Sequence, residues 1–213
     1  MNPQVIQYLA MAVPILLALT VHEFSHGWIA YKLGDNTAKN MGRLTLNPIS
    51  HIDPIGMIML FVIGMGWAKP VPINIYAFKH QKRDLALTAA AGPASNFIMA
   101  AIAGLMFRLF PNLIPMNTDV GVILFLKLNL SYFLMINCGL GIFNLIPIPP
   151  LDGSKILRGF MKDKHVYIID YLERYGGFIL IAIVLLGRFM NFSIFGKFLG
   201  PLIRGLAHFF SGI

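Results

Sequence analysis

The chain has 213 residues, of which 57% are hydrophobic and 12% charged, with a formal net charge of +8. A soluble domain is about 45–50% apolar and about 25% charged, so water is not the main solvent here. A single cysteine, Cys138, excludes an internal disulfide or a thiolate metal cluster.

The first apolar window, Val5–Ile29, reaches the roughly 20 residues that cross a hydrocarbon core. It has neither a basic leading region nor a small-residue cleavage site, so it is expected to stay in the mature chain. Near its end stands His22-Glu23-Phe24-Ser25-His26, an HExxH pentad with no helix breaker between Ile15 and Leu33. Residues four apart share a helix face, with Cβ atoms about 5–6 Å apart, so both imidazoles can converge on one zinc. Glu23 points to the side, where its carboxylate can reach a water on the metal rather than the metal itself. The alternative is a polar helix end that snorkels to the headgroups. Ionisable groups inside an apolar span cost about 2.5–3.5 kcal/mol each on insertion scales, which favours the metal site.

Between Leu33 and Asp84 the pattern breaks into short pieces. Arg43–Asn47 and Val71–Tyr76 favour β-branched or alternating residues between glycines and prolines, and predict a small membrane-associated β-sheet after the first long helix. Its edge would pair with an unwound substrate segment. Ile55–Trp67 is too short for a span and reads as re-entrant or interfacial. His51 and Asp53, flanked by Pro48 and Pro54, fit a turn with a structural histidine better than a second metal pair.

The second long window, Leu85–Phe110, contains Gly92-Pro93-Ala94-Ser95-Asn96 within a small-residue run suited to close helix packing; Asn96 is there either for packing or for function. The third, Val122–Ile148, runs into Asn144-Leu145-Ile146-Pro147-Ile148-Pro149-Pro150-Leu151-Asp152-Gly153, whose prolines forbid a regular helix. Irregular backbone at membrane depth is tolerated where it lines a buried or wet cavity, and Asp152 is the best third ligand. Taken without the pentad, the same residues read as an ordinary Asp-Gly turn. Further apolar windows at Val166–Phe189 and Phe192–Phe210 bring the expected total to five or six transmembrane helices in one domain spanning residues 1–213.

Twelve of the 17 basic residues fall into two groups, Lys32 to Arg83 and Lys155 to Arg174, while residues 111–121 hold no Lys or Arg. The positive-inside rule then makes both basic segments cytoplasmic and delivers His22, His26 and Asp152 to the same leaflet. The charge is thereby topological, with a pull toward anionic headgroups, and no nucleic acid is expected as a partner.

The pentad, Gly92–Asn96 and Asn144–Gly153, the last matching an NxxPxPxLDG pattern, together resemble the site-2 protease family of intramembrane zinc metalloproteases. Leu44–Gly56 and Trp67–Ile73 resemble its short bacterial and archaeal subgroup without a PDZ domain. The resemblance implies one zinc per chain on His22, His26 and Asp152, with Glu23 as general base and Asn144 positioning substrate or stabilising the oxyanion. It implies an integral protein of a bacterial or archaeal plasma membrane, cutting membrane-spanning or membrane-proximal proteins near the cytoplasmic side. The competing function is a membrane carrier or sensor of divalent metal using the same His/Glu/Asp cluster. Transport sites tend to sit at the midplane between repeated halves, and the chain shows no repeat.

Overall fold

The computed structural model describes residues 3–63, 66–113, 115, 118–189 and 194–212. Eight helices account for most of them: α1 (Pro3–Lys32), α2 (Thr37–Asn40), α3 (Pro54–Ile63), α4 (Gln81–Leu113), α5 (Val120–Asn144), α6 (Asp152–Phe160), α7 (Asp163–Phe189) and α8 (Ile194–Ser211). Two 3₁₀ turns, Pro48–His51 and Ile75–Ala77, lie between α2 and α4.

α4 is the hub, packing against α1, α5, α6 and α8. Its sequence explains why: Ala89, Ala100 and Ala103 are fully buried or nearly so, and small side chains let neighbouring helices approach closely. One core cluster joins Ala100 and Ala103 of α4, Leu134 and Cys138 of α5, and Ala207 of α8. A second joins Ala30 of α1, Phe78 and Leu85, tying the end of α1 to the start of α4. Outward faces are apolar as well: Ile98 and Leu105 on α4, and Leu124 and Phe125 on α5, are all more than half exposed.

Two expectations are corrected. Instead of five or six spans, two helices among the described residues are long and apolar enough to cross a membrane, one covering Gln81–Phe110 and the other Val120–Asn144. In α1 the polar His22, Glu23, Ser25 and His26 dilute the apolar run. In α7 Asp170, Glu173 and Arg174 shorten it, and α3 has only 10 residues.

The expected β-sheet is absent from the described residues, where one isolated antiparallel bridge, Ile52 to Ala68, is all the strand pairing found. Pro70 and Pro72 have no amide to give to a ladder. The neighbouring amides go to carboxylates: Val71 N–H donates to Glu23 Oε2 at 2.9 Å, and Asn74 N–H to Asp35 Oδ2 at 2.7 Å. Residues 66–74 therefore form an irregular strap, tied down further by Lys69 N–H on the His51 carbonyl (2.9 Å) and Arg43 Nη2 on the Lys69 carbonyl (2.8 Å). The edge proposed to pair with substrate does not exist in that form.

Candidate metal centre

Two stretches of chain converge on α4. α1 supplies His22, Glu23 and His26 from successive turns, with both imidazoles buried. After α5, Pro147, Pro149 and Pro150 stop the helix, and α6 begins at Asp152, where the positive end of the new helix favours a carboxylate. Gly153 permits the sharp reversal, because a Cβ there would overlap the carbonyls of Leu145 and Ile146. Gly92 of α4 makes room for both rings: a Cβ on it would collide with His26 Nε2 and His22 Cε1.

The donor atoms meet closely. His22 Nε2 lies 3.0 Å from His26 Nε2, and Asp152 Oδ2 lies 3.1 Å and 3.2 Å from those two nitrogens. His26 Nδ1 is 2.7 Å from the Thr88 carbonyl, which can only accept, so Nδ1 carries a proton and the neutral ring presents its Nε2 lone pair. His22 Nδ1 is 2.6 Å from Asn96 Oδ1, an amide that donates in turn to Asn137 Oδ1 at 3.0 Å. Asp152 Oδ2 is buried without a hydrogen-bond donor. Three acceptors thus face one point. A shared proton bridges at most two of them, whereas a metal cation satisfies all three, and two imidazoles with one carboxylate suit zinc. By donor set and by the orphaned oxygen, these residues fit the ion that the sequence implied.

Glu23 and Asn144 line the same cavity of about 450 Å³ as His22, His26 and Asp152, together with Trp67, Pro70 and Val71 of the strap. One Glu23 oxygen accepts from Val71. Asn144 Nδ2 donates to the Leu140 carbonyl at 3.1 Å, which leaves its second amide hydrogen free for the cavity. A second cavity of about 170 Å³, almost wholly apolar, shares Leu19, Trp67, Ala68 and Leu140 with the first. His51 and Asp53 border this second cavity, away from the cluster: His51 Nε2 donates to the Thr45 carbonyl at 2.8 Å, and Asp53 Oδ1 accepts from Gly56 N–H at 2.8 Å.

Sequence reasoning missed three participants. The Thr88 carbonyl and the Val71 amide are backbone atoms, which no residue pattern carries. Asn137 had a signal: it is a polar side chain inside an apolar window, two helical turns before Asn144 and on the same face.

The profile of Peptidase family M50 matches residues 123–187, which include Asp152. The provisionally named zinc metalloprotease YwhC of Bacillus subtilis is 34% identical over 91% of this chain and 94% of its own length. Two proteins of the same description named Rip2, from Mycolicibacterium smegmatis and Mycobacterium tuberculosis, are 26% and 25% identical over 83% and 85% of this chain, and 66% and 68% of theirs. No solved structure shows a significant match. With a relative this similar along nearly its whole length, and with the donor set of a metallopeptidase at its centre, the chain belongs to the M50 peptidases, the site-2 protease family, and is a metalloprotease acting on protein substrates.

Proposed function

We propose that this metalloprotease works at the membrane, cutting membrane-spanning or membrane-proximal proteins with one zinc held by His22, His26 and Asp152. One observation carries the metal assignment: three buried acceptors lie within 3.0–3.2 Å of one another, and Asp152 Oδ2 has no donor. The membrane setting is supported by the two long apolar helices, by apolar outward faces on both, and by the 12 of 17 basic residues gathered in two segments that would lie on one side. In that reading the chain is one membrane-embedded domain that crosses more than once, with the site toward the cytoplasmic face of a bacterial or archaeal plasma membrane.

Zinc bound here supplies a Lewis acid for the peptide carbonyl and makes a water acidic near neutral pH. The chain's own residues do the rest. Glu23, with one oxygen fixed by the Val71 amide, keeps its other oxygen to take a proton from water and return it to the leaving amine. Asn144 has an amide hydrogen to spare for the charge that develops on the carbonyl oxygen. The strap and the adjoining apolar cavity favour an extended, apolar stretch of substrate, which an intact helix cannot present.

The test is Glu23→Gln on purified protein with a model transmembrane substrate. The amide retains the acceptor for Val71 but cannot take a proton. Zinc content should stay at the wild-type level while cleavage falls by roughly 10²–10⁴-fold, the usual worth of a general base. Cleavage at the wild-type rate would remove Glu23 from the mechanism.

A further inference from the structure

A file of amides runs away from the metal centre through three helices. His22 of α1 meets Asn96 of α4 at 2.6 Å, Asn96 Nδ2 meets Asn137 Oδ1 of α5 at 3.0 Å, and Asn137 Nδ2 meets the Phe133 carbonyl at 2.8 Å. Asn96 and Asn137 are both fully buried, so neither has water as an alternative partner. The direction of the file is set at its far end. A backbone carbonyl can only accept, so Asn137 must turn its NH₂ toward Phe133 and its oxygen toward Asn96. Asn96 must then turn its NH₂ toward Asn137, and the Ala18 carbonyl, 3.4 Å from Asn96 Nδ2, enforces the same choice. Only the oxygen of Asn96 is left for His22.

We infer that Asn137, through Asn96, locks the neutral His22 ring into the Nδ1–H tautomer and so holds the Nε2 lone pair toward the metal. Asn137 does not touch the ligands and is a positioning residue. The reverse tautomer would place a proton on Nε2, inside the space that the cation needs, and reversing the Asn96 amide would set its oxygen against the oxygens of Asn137 and Ala18. The two histidines are thereby secured differently. His26 is oriented by the Thr88 backbone, which no side-chain substitution removes, and His22 by two side chains in series.

This inference rests on the metal-centre reading, and the experiment separates the two. Nitrogen-15 spectra of histidine-labelled, zinc-free protein report which nitrogen of His22 bears the proton, and a competing chelator gives the zinc affinity. Wild type should show Nδ1–H at His22. Asn96→Leu should weaken zinc by about 10–100-fold, as loss of a ligand's hydrogen-bond partner typically does. Asn137→Leu should weaken it less and show both tautomers at His22, while Cys138→Ala, the packing neighbour, should change neither reading. A wild-type His22 protonated on Nε2 overturns the relay without need of any variant. Wild-type zinc affinity in both leucine variants overturns it equally. A wild type that binds no zinc at all defeats the metal-centre reading instead.

Discussion

The metal centre and the strap of residues 66–74 line one cavity, and they solve opposite problems. In α1 and α4 the helix satisfies its own backbone, which frees His22, His26 and Asn96 to point inward and engage one another. In the strap the backbone has no ladder, and side-chain carboxylates capture its amides: Glu23 takes Val71, and Asp35 takes Asn74. Glu23 belongs to both regions. A residue placed for proton transfer also anchors the segment that roofs the site, so the geometry of the roof and that of the base are coupled.

The contrast can be broken from either side. The largest effect is expected on the helical side, from Gly92→Ala. The new methyl would occupy space held by His26 Nε2 and His22 Cε1. Zinc binding should weaken by roughly a hundredfold or more, because losing just one ligand's hydrogen-bond partner costs about 10–100-fold and here both ligand rings must move, with cleavage falling in step. Titration with a competing chelator checks this, and unchanged affinity would mean that the rings have room the structure does not show. On the strap side, Val71→Pro removes one amide hydrogen between two residues that are already proline. Zinc should stay bound while cleavage falls at least about tenfold, since a hydrogen bond to a charged group contributes about 1.5–3 kcal/mol and about 1.4 kcal/mol is a factor of ten. A loss of zinc would show that strap and metal centre are not separable. The smallest effect on catalysis is expected from Asp35→Ala, which strands the amides of Thr37 and Asn74. Unfolding in denaturant should register a loss of about 1–3 kcal/mol with bound zinc unaffected in the folded fraction.

The same contrast explains what could be read in advance. The pairing of His22 with His26 is local helix geometry, and four-residue spacing expresses it directly. Asp152 is 126 positions beyond His26, and no spacing links them; the expectation that they share a leaflet rests on the order of apolar windows and the basic segments between them. The strap misled for a physical reason. Val71, Ile73 and Ile75 alternate in the same way whether the intervening amides enter a ladder or a carboxylate, and the acceptors, Glu23 and Asp35, lie 48 and 39 positions away from their donors. Span counting overshot because windows such as Val166–Phe189 admit Asp170, Glu173 and Arg174 at modest cost to an average. Asn137 stands out as a polar residue in an apolar window, but its role shows only once α1, α4 and α5 are side by side and its amide meets Asn96 and the Phe133 carbonyl.

Zinc-edge X-ray absorption on the purified, metal-loaded chain tests the central claim most directly. The account predicts one zinc per chain with scattering from two imidazoles at about 2.0–2.1 Å and oxygen completing the shell. Spectra with fewer than two imidazoles, or unchanged after Asp152→Ala, would contradict it.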